Sequence, residues 1–185
     1  SNAAQNISIL FEIDSTKSAN SNDANGPASL IRKATELALV LDVSGSMMGA
    51  AIDHAKRAMK QLVADLMDGD LLHIVVYSSE ADVLFKNGGM EQIPNMLQAI
   101  DDVDAGGGTN MYAGLRKAYN ILKKNRKTRM EEEGKIGMNQ RVFLFSDGWV
   151  NTGDVQKDED ILNKVNGKKL KYGITTSSFG VGDDF

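Results

Sequence analysis

The 185-residue sequence predicts a three-layer, doubly wound α/β domain: a mostly parallel sheet with helices on both faces and a short antiparallel strand at one edge. Three observations carry this reading. Several short runs are nearly all apolar, as strands buried on both faces are; Glu36-Leu-Ala-Leu-Val-Leu41 is the clearest. Segments with apolar residues at helical spacing alternate with those runs. Glycine and aspartate clusters punctuate the junctions.

The elements follow in chain order. The run ending at Asp42 is the first strand of the domain. Ile52, Ala55, Met59, Leu62, Val63 and Leu66 then recur at helical spacing, with Lys56, Arg57, Lys60 and Asp65 opposite. Asp68-Gly69-Asp70 stops that helix, and Leu71 to Tyr77 is the second strand. A reversal at Ser78 to Ala81 leads to a short edge strand, Asp82 to Phe85. Met90 to Val103 is a helix that tolerates Pro94 only in its first turn. Gly106-Gly-Gly108 opens a longer helix from Met111 to Lys127, whose apolar face is Met111, Leu115, Ala118, Ile121 and Leu122. Arg141 to Phe145 is another buried strand. A helix from Asp160 to Leu170 and a strand from Thr175 to Phe179 complete the pattern.

The termini read differently. Ser1-Asn2-Ala3 has the form of a scar left by tag cleavage and stands apart from the natural sequence. Residues 4–34 comprise a short strand, Ile7 to Ile13, and a polar connector, Ser15 to Ser29; residues 35–185 are the folded domain. The finish at Gly-Val-Gly-Asp-Asp-Phe185 follows a strand so closely that a piece of a longer protein, monomeric as a fragment, is the expectation.

Composition excludes several classes. With no cysteine there is no disulfide scaffold, thiolate metal site or cysteine nucleophile. Against 25 acidic residues stand 21 basic ones, and the net charge of −4 argues against a sequence-independent nucleic-acid binder. The longest apolar run, Leu37 to Leu41, is far short of a bilayer span of roughly 20 residues.

In a doubly wound sheet ligands bind beyond the carboxyl ends of the strands. Those ends carry Asp42-Val-Ser44-Gly-Ser46 and Ser146-Asp147-Gly148, and the glycine run delivers Thr109 and Asn110 to the same rim. If the turn after Leu41 stays extended, residues two apart face the same way, so Asp42, Ser44 and Ser46 converge. The side chains are hydroxyls and carboxylates, hard oxygen donors suited to Mg²⁺, Mn²⁺ or Ca²⁺. Two carboxylates merely balance a divalent charge, which leaves the ion electrophilic and open to an acidic side chain from a partner protein.

Asp42-Val-Ser-Gly-Ser46, Gly107-Gly-Thr109-Asn and Phe145-Ser-Asp147-Gly together resemble the von Willebrand factor type A domain and its metal-ion-dependent adhesion site. The likeness runs from about Thr35 to the last residue. It implies a Rossmann-like domain in which Ser44, Ser46 and Thr109 touch the metal, with Asp42 and Asp147 acting directly or through water. It implies also that the ion binds an Asp or Glu of a partner. Domains of that family continue with a helix, a strand and a C-terminal helix past the point where this chain stops, so the affinity switch of its integrin members is not carried over.

Competing readings are weaker. A haloacid-dehalogenase-type phosphatase would use Asp42 as nucleophile with Mg²⁺, and a late Gly182-Asp-Asp184 faintly fits. That chemistry wants a carboxylate two residues after the nucleophile, where Ser44 stands, and a serine does not shuttle protons near neutral pH. The chain has no Gly-x-Ser-x-Gly elbow and no Walker motif. His54 is expected on the solvent side of its helix and His73 in the core. The cluster Lys123-Lys-Asn-Arg-Lys-Thr-Arg129 reads as a solvated helix end, answered by Glu131-Glu-Glu133. Around the rim Met47, Met48, Asn110 and Trp149 are the candidates to grip a partner, although Met47 could equally pack beneath its own helix.

Overall fold

The computed structural model describes residues 32–133, 137–148 and 150–181. The strand expected at Ile7 to Ile13, the Ser15 to Ser29 connector, Trp149 and Gly182-Asp-Asp184 lie outside these residues. All described residues belong to one compact unit that begins at Arg32.

Five strands form one sheet: β1 (Thr35–Asp42), β2 (Leu71–Tyr77), β3 (Ala81–Gly88), β4 (Asn139–Ser146) and β5 (Thr175–Gly180), in the order β3-β2-β1-β4-β5. β1 pairs in parallel with β2 and β4, β4 in parallel with β5, and only β3 runs antiparallel. The expected fold class is therefore the observed one. α1 (Ala50–Ala64) and α2 (Ile93–Asp101) pack against each other, and α3 (Met111–Glu133) packs with α4 (Asp158–Tyr172) on the other face.

Several elements are longer than expected, β3 and α3 most of all. β3 is an eight-residue strand, with register shifts against β2 between Leu72 and Val75 that accommodate Asn87 at φ 56°. α3 passes Lys127 to reach Glu133, so the acidic run continues the helix instead of forming a loop. Two contacts support the extra turns: Arg129 bonds to the buried Glu36, and Lys127 lies 3.6 Å from Glu131 one turn on. α2 starts at Ile93 after a short 3-10 turn, which places Pro94 in its first turn as required. His54 is half-buried.

Strand alternation explains how the sheet positions the site. On the face toward α3, β1 presents Glu36, Ala38, Val40 and Asp42; β2 presents His73, Val75 and Tyr77; β4 presents Gln140, Val142, Leu144 and Ser146. Each row is polar at its amino end, apolar in the middle and polar at its carboxyl end. The middle layer packs on Leu115, Ala118, Tyr119 and Leu122 of α3. The two polar layers must satisfy themselves by hydrogen bonding, because all these side chains are buried. The amino-end layer centres on Glu36, the carboxyl-end layer on Asp42.

Candidate metal centre

Asp42 ends β1 with its carboxylate fully buried. Three donors hold it. The Ser44 backbone N–H donates to Oδ1 at 2.9 Å, while the Tyr77 phenol and the Ser146 hydroxyl donate to Oδ2 at 2.9 and 2.8 Å. Burial nevertheless pushes the Asp42 carboxyl above its usual range, against the pull of those bonds. Burial, with the adjacent Asp42 charge, also keeps the Tyr77 phenol protonated well beyond its ordinary range.

After Asp42 the chain stays extended at Ser44 and then makes one 3-10 turn, Gly45–Met47. The two serine hydroxyls come together: Ser44 Oγ and Ser46 Oγ stand 3.1 Å apart. Ser44 is buried and Ser46 exposed, so the pair spans the rim from inside to solvent.

Two backbone bonds fasten this loop to the glycine run: Gly45 N–H donates to Gly107 O at 3.0 Å and Gly106 N–H to Val43 O at 2.6 Å. Gly107 adopts φ +85°, a left-handed turn that a side chain would strain, and this turn precedes the buried Thr109. Thr109 is fixed by a bond from its N–H to Asn151 Oδ1 at 2.8 Å, while Asn151 and Thr152 N–H groups donate to its carbonyl. The third segment joins through Ser146, which donates to Asp42 and accepts from Gly148 N–H at 3.0 Å. Asp147, half-buried, stands between them. Backbone and side-chain bonds therefore bring the three predicted segments to one rim.

The candidate partner contacts divide. Met48 is 62% exposed beside the serine loop. Met47 is a correction: it is completely buried, because the 3-10 turn directs it inward. Asn110 is spent internally, its Oδ1 accepting from Ala113 N–H as the cap of α3 and its Nδ2 donating to Ser79 O. Trp149 is outside the described residues.

Sequence reasoning missed Tyr77 and Asn151 and did not give Ser146 its role. Tyr77 was legible as the end of a second parallel strand, the position in register with Asp42. Asn151 had no comparable signal, since its bond to Thr109 spans 42 residues.

A mostly parallel five-stranded sheet with helices on both faces, and a buried carboxylate with hydroxyls at its carboxyl rim, makes this a doubly wound α/β domain. The chain belongs to the von Willebrand factor type A domain family, whose sequence profile matches residues 36–185. Among relatives, the uncharacterized protein YfbK of Escherichia coli is 32% identical over 151 residues, 81% of this chain and 24% of its own length. Human inter-alpha-trypsin inhibitor heavy chain H3 is 24% identical over 182 residues, covering 91% of this chain and 20% of the relative. The chain thus spans no more than about a quarter of the length of these relatives.

Among solved structures, a von Willebrand factor type A protein from Catenulispora acidiphila superposes with TM-score 0.65 at 20% identity, covering 82% of this chain and 34% of that one. Manganese-loaded TRAP protein of Plasmodium vivax gives TM-score 0.62 at 21% identity, with 82% and 58% coverage. Proximal thread matrix protein 1 from the mussel byssus, with a zinc-occupied MIDAS motif, gives 0.60 at 19%, with 80% and 38% coverage. At these identities the structures establish a shared fold.

Proposed function

We propose that this domain is a non-catalytic interaction module. Ser44, Ser46 and Thr109, with Asp42 and Asp147, hold a divalent cation, Mg²⁺ or its relatives Mn²⁺ and Ca²⁺, and a partner protein supplies an Asp or Glu as a further ligand. The observation that carries the reading is the serine pair above the buried carboxylate. Adjacent oxygens of an octahedral ion with bonds near 2.1 Å are about 3.0 Å apart, and Ser44 Oγ and Ser46 Oγ are 3.1 Å apart. The donor chemistry fits as well, being oxygen throughout. Among the described residues no three His, Cys, Asp or Glu side chains gather into an alternative metal site. The manganese-loaded and zinc-occupied structural neighbours support a divalent ion at this place in the fold.

Each residue has a distinct task. Tyr77 and Ser146 bond to Oδ2 of Asp42 and Ser44 N–H to Oδ1, which fixes the carboxylate beneath the serine loop. Ser44 and Ser46 bring neutral oxygens, so the set carries only the two carboxylate charges. When bound, the ion supplies an electrophilic position that a carboxylate can fill. Gly106 and Gly107 lie against the first loop, and Ser46 is exposed beside them. Met48 offers apolar contact area beside it.

Calorimetric titration of Mg²⁺ or Mn²⁺ into the wild-type domain and Asp42→Ala tests the site. Saturable binding lost in the variant is expected; equal affinity in both would sink the assignment. The phosphatase reading is disfavoured by Ser44, which occupies the position that chemistry needs for an acid/base carboxylate.

A further inference from the structure

The strongest charge feature of the molecule lies at the other end of the sheet. The stretch from Arg116 to Arg129 in α3 holds seven cations and no acid, and that from Ile161 to Tyr172 in α4 holds four and none. Both helices run back from the metal rim. Their carboxyl-terminal halves lie beside the amino ends of the strands, where Asn125 and Arg129 meet Glu36 and α4 leads through Gly173 into β5. A chain with net charge −4 thus places eleven of its 21 cations in two neighbouring helices, whose six acids are confined to the last turn of α3, Glu131 to Glu133, and the first turn of α4, Asp158 to Asp160.

The structure adds what the sequence cluster alone lacked: the two sets of cations converge. Lys123 of α3 and Lys168 and Lys171 of α4 all lie within 6.0 Å of the centre of the Tyr172 ring. Arg126 ties the helices by bonding to the Tyr172 carbonyl. Among the described residues none of these three lysines forms an ion pair. The helix dipole explains a cation or two in a last turn, but not three converging on one ring. At the outer side of the same turn stands Leu170, 88% exposed and flanked by Lys169 and Lys171.

We propose that this end of α3 and α4 docks on an anionic phospholipid surface, the lysines lying among the headgroups and Leu170 entering the interface. Lysines whose ammonium groups lie 5.1–6.0 Å from tyrosine ring centres join cationic and apolar surface in one patch, which suits a boundary between water and apolar material. An exposed leucine amid lysines fits such a boundary too. A nucleic acid would use open aromatic faces for stacking, whereas Tyr119 is buried and Tyr112 and Tyr172 are half-buried beneath lysines. The surface faces away from the metal rim, so a docked domain would still present that rim to a protein partner.

Co-sedimentation with vesicles tests this, in EDTA so that the metal site plays no part. The expected result is binding to phosphatidylcholine vesicles containing phosphatidylglycerol, none to phosphatidylcholine alone, and release by salt. At about 1 kcal/mol per lysine near an anionic surface, Lys123→Gln/Lys168→Gln/Lys171→Gln is expected to weaken binding about a hundredfold. Leu170→Ser, a fully exposed change that leaves the core intact, is expected to weaken it about tenfold without altering the salt dependence. The proposal is overturned if the wild type ignores the anionic vesicles at low salt, or if both variants, folded by circular dichroism, bind like the wild type. It is equally overturned if an oligonucleotide or polyglutamate binds more tightly than the vesicles.

Discussion

Tyr77 stands across from Asp42 in the parallel register of β1 and β2, and its phenol donates to Asp42 Oδ2 at 2.9 Å. The bond joins the core to the rim: the ring packs within the layer beneath α3, and the hydroxyl fixes the orientation of the carboxylate. Partners that orient a metal-binding carboxylate typically contribute 10–100-fold to metal affinity. Tyr77→Phe keeps the ring and removes the bond. It is expected to lower the affinity for Mn²⁺ by a factor in that range, read by calorimetry, with the far-ultraviolet circular dichroism unchanged. Wild-type affinity in the variant would show that Ser146 and Ser44 N–H orient Asp42 without help.

The same pair shows what could be read from the sequence. Strands β1 and β4 were legible because both faces are buried and their residues are nearly all apolar, and the rim residues were legible because they follow those runs directly. Asp42, Ser44 and Ser46 lie within five residues, so local geometry brings them together. Tyr77, Asn151 and Gln140 act across distant chain segments, and no local pattern encodes those pairings. The end of α3 was missed for a related reason. Its last turns are polar apart from the exposed Met130, and their anchor is Glu36, 93 residues away from Arg129. The inward turn of Met47 depends on one 3-10 turn that hydrophobicity alone does not specify.

Gly114 records how closely α3 approaches the sheet. A Cβ built there would stand 2.6 Å from Tyr77 Cδ1, 2.9 Å from Cγ and 3.0 Å from Val40 Cγ1. Two effects oppose each other in Gly114→Ala. Helix propensity favours alanine by about 1 kcal/mol, while overpacking a tight core costs about 1–3 kcal/mol. The ring cannot retreat, since its hydroxyl is bonded to Asp42, so overpacking wins. The variant is expected to melt about 2–6 °C lower than the wild type by calorimetry. A higher melting temperature would show that the ring shifts freely, and with it Asp42.

Met47 and Met48 are adjacent but opposite in role, one fully buried and the other 62% exposed. Met47→Ala is expected to destabilise the fold by about 2–5 kcal/mol in urea unfolding, through lost burial and a residual cavity. Met48→Ala is expected to stay within about 0.5 kcal/mol of the wild type. If Met48 grips a partner, its truncation weakens that complex while leaving the affinity for the ion alone unchanged. A loss of ion affinity in Met48→Ala would mean instead that it shapes the serine loop.

Glu36 makes the acid limb of stability predictable. Burial alone would raise its pKa, but bonds from His73, Arg129, Gln140 and Asn125 outweigh burial and hold it at about 2, against 4.5 for the free side chain. His73 takes part as a donor: its Nδ1 accepts from Asn87 N–H at 3.0 Å, so in the neutral ring the proton sits on Nε2, facing Glu36. Because the folded-state pKa is depressed, the unfolded chain binds the proton first as pH falls. The stabilisation is complete above pH 4.5 and is lost as pH drops toward 2. The shift corresponds to about 3 kcal/mol. Glu36→Gln keeps an acceptor for His73 but leaves the Arg129 charge without its partner, and is expected to cost about 3–5 kcal/mol at pH 7. Urea unfolding of both proteins at pH 7 and pH 3 separates the two effects. The wild type should lose stability between those values by more than the variant does, and parallel losses would mean that the acid sensitivity arises at other carboxylates.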